Sequence, residues 1–263
     1  MKISQLGSIA AIALALVACG NKPETQTTTE ASKADTNSAG EQRHLKIATE
    51  AAYPPFNDTA PDGKIIGFDI DVMNAICAEI NAKCEIVAQD WDGLIPGLNA
   101  KKYDAIIAGM SITPERLEQV DFSEPYFSNT IIWLSKTDGS FDPNNIKNTI
   151  LGGQRSTTGA AYIAQKYDGK DGNTVQLYDT YLNAYLDLQA GRNAAVMAEK
   201  VSAAEWLKQG REGFGLVGEE IDNNDNIGIA VRKGDELKNE FNTALAKLKE
   251  SGKLAEIEAA NFK

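Results

Sequence analysis

The chain has 263 residues, enough for two modest lobes or one large domain. With 43% hydrophobic and 24% charged residues it falls outside the disordered classes and reads as globular. A formal net charge of −11 argues against nucleic acid or an anionic membrane surface as the main partner, and leaves a cationic ligand open.

Residues 1–18 read as a signal peptide: Lys2 is a minimal basic region, and Ile9 to Ala18 is apolar over about ten residues, too short to span a bilayer. The segment ends Leu16-Val17-Ala18-Cys19, which resembles a bacterial lipobox; there Cys19 becomes the lipidated first residue. A plain secretory signal with a chance cysteine is the alternative. On the lipobox reading the protein is a cell-envelope lipoprotein, anchored to the membrane and not spanning it. Residues 19–43, rich in Thr, Glu, Ser, Asn and Ala, read as a disordered tether that gives reach. In an exported chain, Cys77 and Cys84 then read as a disulfide joining a helix end to the next strand. A metal pair is disfavoured, because His44 is the sole histidine.

The folded body starts with a strand at Leu45–Ala48, ending at Thr49-Glu50. Tyr53-Pro54-Pro55-Phe56 is a stiff loop presenting two rings, and Pro61-Asp62-Gly63 is a turn. Val72, Met73, Ala75, Ile76 and Ile80 keep helical spacing, with Asp69 and Asp71 as helix-start acids. Cys84 to Val87 is a strand, running out to Gln89-Asp90-Trp91-Asp92. Leu94 to Leu98 is a short helix, and Tyr103 to Ala108 a strand that stops at Gly109. This βαβαβ run predicts a parallel sheet with its site at the strand ends. Beyond Gly109, Ser111 and Thr113 bring hydroxyls, Thr113 and Pro114 start a helix, and Arg116 projects from its first turn. Such a place collects anions, although an ordinary surface arginine fits the same pattern.

Residues 131–135 read as a first crossing out of lobe one (44–130), and 136–225 as lobe two. Thr149 to Gly153 is a strand, followed by Gln154-Arg155-Ser156-Thr157-Thr158 at the start of a helix. The loop lacks the Gly-Lys-Ser/Thr ending of a phosphate loop. A strand at Val175–Tyr178 and a helix at Thr180–Gly191 follow. Ala194 to Ala198 is a buried strand ending at Glu199, which equally fits a helix N-terminal acid. Gly213 to Gly218 matches a dinucleotide pattern but lies in a strand with no helix after it, so that reading fails. Asp222 to Asn226 reads as a polar loop, 226–229 as the return crossing, and 230–263 as amphipathic helices closing lobe one.

DAIIAGMSITPER followed by VDFSEPYF resembles the signature of periplasmic amino-acid-binding proteins, the soluble receptors of ABC importers (solute-binding proteins of family 3). The resemblance runs from about Leu45 to the C-terminus and includes GFDID. It implies a two-lobed α/β fold of the type II periplasmic-binding class, each lobe a mostly parallel sheet flanked by helices, with two crossover strands. It also implies a ligand set. Arg116 clamps an α-carboxylate, with Thr157 and Thr158 on the opposite side. Gly109, Met110 and Ser111 form the strand end that meets the α-ammonium, and Glu199 stands where relatives carry an acid for that ammonium, more often Asp. Tyr53 and Trp91 flank the ligand side chain, and Glu50 lies where receptors for basic amino acids carry an acid.

The expected protein binds an L-amino acid, works as a monomer with an ABC permease, needs no cofactor or metal and has no catalytic residue. YDTYLNAYLDLQAGR and IGIAVRKG look most like arginine and lysine–arginine–ornithine receptors, favouring arginine, then lysine or ornithine. Ala-Gly-Met at the strand end also occurs in glutamine-type receptors, so glutamine or cystine stays open. A periplasmic dehydratase on the same fold, or a sensor or adhesin using the same pocket, are the other classes. No Ser–His or Cys–His pair supports the enzyme.

Overall fold

A computed structural model describes residues 42–262; the expected signal peptide, Cys19 and the tether up to residue 41 lie outside the described residues. The chain opens with β1 (Arg43–Thr49), so Arg43 belongs to the sheet and not to the tether. A small antiparallel ribbon follows, β2 (Ala52–Tyr53), β3 (Asn57–Thr59) and β4 (Ile65–Ile66). Then come α1 (Phe68–Glu79), β5 (Ala82–Ala88), a 3-10 turn at Trp91–Gly93, α2 (Leu94–Asn99), β6 (Ala105–Ile106), the one-turn α3 (Pro114–Leu117) and β7 (Val120–Phe122). The second half holds β8 (Phe127–Lys136), β9 (Ile150–Gln154), α4 (Thr158–Tyr167), β10 (Thr174–Tyr178), α5 (Tyr181–Gln189), β11 (Ala195–Glu199), α6 (Lys200–Leu207) and β12 (Phe214–Ile227). The chain closes with β13 (Ala230–Arg232), α7 (Leu237–Glu250) and α8 (Lys253–Asn261).

Two five-stranded sheets make two lobes, in the orders β5-β1-β6-β13-β7 and β10-β9-β11-β8-β12. Both are mixed but mostly parallel, with four of the five strands in each pointing one way. β1 runs parallel to β5 and β6, and β9 runs parallel to β10 and β11. β13 and β8 run against their neighbours. The reason is topological: a strand entering a lobe from the cleft starts where the others end, so it must point the opposite way. The parallel strands therefore aim their C-termini at the cleft from both sides.

The sequence reading placed the first crossing at 131–135. Those residues lie inside β8, where Ile131 pairs with Glu199 and Ser135 with Ala195. Ile131, Ile132, Trp133 and Leu134 are all buried. Such a run suits a strand between two others, and would be costly in an exposed connection. The chain leaves the first sheet after Phe122 and enters the second at Phe127. It returns through Gly228–Ile229, between β12 and β13. The expected polar loop at 222–226 is also strand: it forms the end of β12, with Asp225 opposite Asn129 of β8.

Asp69 lies in the first turn of α1, as expected, but it is fully buried. Its Oδ1 accepts from the Tyr126 hydroxyl at 2.6 Å, and its Oδ2 from Asn57 Nδ2 at 2.9 Å and the Gly109 amide at 2.8 Å. This buried carboxylate ties the ribbon, the first crossing and the strand end into one unit. Burial pushes its pKa up to about 7, while the three donors pull it down.

Cys77 on α1 bonds to Cys84 on β5, with Cα atoms 6.2 Å apart. Intact mass of protein alkylated without reduction should show neither residue modified, and two added alkyl groups would rule the bridge out. Closing so short a loop contributes roughly 2–3 kcal/mol through the unfolded chain, so reduction should lower the melting temperature and leave the fold in place.

Candidate functional site

The strand ends of the two lobes meet around a pocket. Of the residues singled out from sequence, Glu50, Tyr53, Trp91, Gly109, Ser111, Arg116, Thr157 and Glu199 line it. Residues as far apart in the chain as Glu50 and Glu199 are brought together because every parallel strand ends at the cleft.

Gly109 stops its strand with φ +55, and a Cβ there would sit 2.7 Å from Tyr53 Cε1. Only glycine allows the Tyr53 ring this close to the backbone. Tyr53 is a buried pocket wall, stacked with Phe56 at 5.1 Å and with Tyr181 of the other lobe at 5.8 Å between centroids.

Thr113 caps α3, its hydroxyl accepting from the Arg116 amide at 3.3 Å. That bond occupies a backbone donor, and four residues carry little helix dipole. Anion attraction here therefore rests on the Arg116 side chain. Its Nη1 donates to the Ser111 carbonyl at 2.7 Å and its Nη2 to the Ser156 carbonyl of the opposite lobe at 2.9 Å. The guanidinium lies over the Trp91 ring, 5.1 Å from its centroid. Trp91 thus supports the arginine as well as facing the pocket.

Thr157 caps α4. Its hydroxyl accepts from the Ala160 amide at 3.1 Å and donates to the Gln154 carbonyl at 2.8 Å. Thr158 does not line the pocket, although its Oγ1 is buried without a partner among the described residues. Met110 is a core side chain, 1% exposed and packed with Leu94, Ile106 and Phe122. Its carbonyl is taken by the Gly228 amide at 3.1 Å. Thr158 already belongs to α4, past the cap, and Met110 turns into the lobe-one core just after the left-handed turn at Gly109.

Glu199 ends β11 and precedes α6, but its side chain makes no capping bond. It is 5% exposed, turned into the pocket, with Oε2 unpartnered among the described residues. Burial and then nearby Asp225 push its pKa up to about 7; the Tyr181 and Tyr53 hydroxyls pull it back. Glu50, just past β1, accepts from Gln154 Nε2 at 2.6 Å across the cleft. Burial raises its pKa to about 7 as well, with Glu199, Asp90 and Asp92 adding to the rise. Burial also lowers the pKa of Arg116, against the pull of Asp225 and Glu199.

The sequence reading did not single out Gln154 or Tyr181 as pocket residues, though both line it. Gln154 had a usable signal, as the first polar residue after a predicted strand and before a capped helix.

Residues 45–263 match the model of bacterial extracellular solute-binding proteins, family 3. The chain belongs to this family. It is 41% identical over 216 residues to an arginine-binding periplasmic protein of Mannheimia haemolytica, covering 80% of this chain and 88% of that one. It is 39% identical over 213 residues to a putative ABC transporter arginine-binding protein 2 of Escherichia coli K12, covering 79% and 86%. Among solved structures, an ancestral arginine-binding protein bound to arginine superposes with a TM-score of 0.79 at 36% identity, covering 84% of this chain and 99% of that one. These are binding proteins, and this family-3 chain is a solute-binding protein and not an enzyme.

Proposed function

We propose that this protein binds an L-amino acid with a cationic side chain, arginine first, between its two lobes and hands it to an ABC importer. Arg116 takes the α-carboxylate together with the start of α4. Glu199 and Ser111 take the α-ammonium. Glu50 and Gln154 meet the side-chain cation, with Tyr53 and Trp91 as aromatic walls. The lobes move about Ser123–Tyr126 and Gly228–Ile229. Cys19 carries the lipid that holds a monomer at the cell envelope, on the periplasmic side, with residues 20–41 as its tether.

The observation that carries the reading is Glu50. It is a buried carboxylate that accepts, among the described residues, from the neutral amide of Gln154. An ionised carboxylate in such a place is costly unless a cation arrives. Two buried acids against one arginine in the pocket wall, when ionised, also leave one net negative charge, which an amino acid of net charge +1 offsets. The names of the relatives point the same way. A neutral amide ligand is the second reading. It draws on the raised pKa of Glu50, because a protonated carboxyl can donate to a glutamine side-chain oxygen.

Calorimetry against arginine, lysine, ornithine, glutamine and cystine tests both. Arginine should bind tightest, at micromolar Kd or better, which is about −8 kcal/mol. Tighter glutamine or cystine would overturn the cationic assignment, and no binding by any of the five would overturn the amino-acid reading.

A further inference from the structure

Asp225 stands outside the set of residues that the family resemblance assigns. It is 3% exposed, yet neither carboxylate oxygen has a hydrogen-bond partner among the described residues. A buried carboxylate left in this way costs several kcal/mol or more, so its surroundings must repay it in some state of the molecule. Burial raises its pKa, and the Ser111 hydroxyl and then the Arg116 guanidinium pull it back toward the ionised form. Its charge in turn raises the pKa of Glu199 and Tyr53, after burial. All four of these residues line the ligand pocket. Asp225 therefore lies behind the pocket wall, at the corner where Arg116, Ser111 and Glu199 converge.

The backbone fixes that corner. The Ile112 amide donates to the Asn226 carbonyl at 2.7 Å, the Gly228 amide to the Met110 carbonyl at 3.1 Å, and Ser111 bridges to Ile227. The ligand-facing loop of lobe one is thus stitched to the last residues of β12, next to the return crossing. A carboxylate on this segment keeps its distance to Ser111 and Arg116 as the lobes move.

We propose that Asp225 is a positioning residue of the ammonium site. It accepts the Ser111 hydroxyl proton, so that the Ser111 lone pairs face the ligand, and it supplies a second negative charge beside Glu199. The ammonium then meets Ser111 as an acceptor and two carboxylates as counter-charge. This deepens the proposed function and rests on it. The competing structural role is the cross-strand pair with Asn129, whose Nδ2 is also unpartnered among the described residues.

The test uses Asp225→Asn, Asp225→Glu and Asn129→Ala in the full chain. Each is titrated by calorimetry with arginine and with 5-guanidinopentanoate, which lacks the α-ammonium. The expected result for Asp225→Asn is a loss of about tenfold for arginine, the scale of one charge-assisted hydrogen bond. The same variant should hold its 5-guanidinopentanoate affinity within twofold, and Asp225→Glu should recover part of the arginine loss. Equal losses for both ligands, or the same arginine loss in Asn129→Ala, would assign Asp225 to the crossing and overturn the proposal. Unchanged arginine binding in Asp225→Asn would also overturn it. If wild type binds no amino acid, the functional reading fails first, and that outcome is distinct from all of these.

Discussion

Arg116→Ala should cost more than a hundredfold in arginine affinity. The guanidinium has five N–H donors. Two go to the Ser111 and Ser156 carbonyls, one in each lobe, leaving three for a ligand carboxylate. Because α3 is one turn long and its cap uses the Arg116 amide, no helix terminus replaces the lost charge. Truncation leaves a desolvated carboxylate half-paired, at about 3–5 kcal/mol. Arg116→Lys should lose less than alanine and still be clearly weakened. A point charge cannot bridge two carbonyls and also present a fork. Agmatine, which lacks the carboxylate, provides the control. Its weak binding should be nearly indifferent to Arg116→Ala. A loss under threefold for arginine, with an unchanged circular-dichroism spectrum, would make Arg116 an interlobe contact only.

The same residues show what was legible in the sequence. Strand ends at Glu50, Gly109 and Glu199 were readable because an apolar run stops abruptly at a polar residue or glycine. That pattern marks where a parallel strand meets a cleft. Arg116 was readable from Thr113 and Pro114, whose helix-start chemistry is local. Asp69 was not, since its partners Asn57, Gly109 and Tyr126 come from three distant segments. Its neighbours on the chain fit an ordinary helix start. Asp225 was hidden for a related reason. Five polar residues in a row look like a loop, whereas β12 at that point buries alternate side chains against the other lobe's loop. The displaced first crossing, and Met110 in the core, are errors of facing. Sequence marks a residue as apolar, but only pairing tells which side it occupies.

Glu50→Gln should erase most of the preference for arginine over glutamine, a change of about 1.5–3 kcal/mol or roughly ten- to a hundredfold. The carboxamide keeps the shape, and it can still bond to Gln154, but it removes the charge that a guanidinium needs. The effect is tied to pH. Burial holds the Glu50 carboxyl at about 7 in the folded protein, against about 4.3 for an exposed glutamate. Without ligand the folded state therefore holds a proton that the unfolded chain has released across this interval. The stability from this group is fully present at acid pH and falls as pH rises toward 7. Arginine reverses the preference by favouring the ionised form, so binding below pH 7 must expel the proton. Its affinity should climb from pH 5 to 7 and level off above. In Glu50→Gln that slope should shrink, with Glu199 supplying what remains, because its carboxyl is also raised to about 7. Calorimetry in buffers of different ionisation enthalpy reads the proton release directly. A variant that keeps both its arginine preference and its full proton release would remove Glu50 from the side-chain site and leave the carboxylate and ammonium grips to carry the ligand alone.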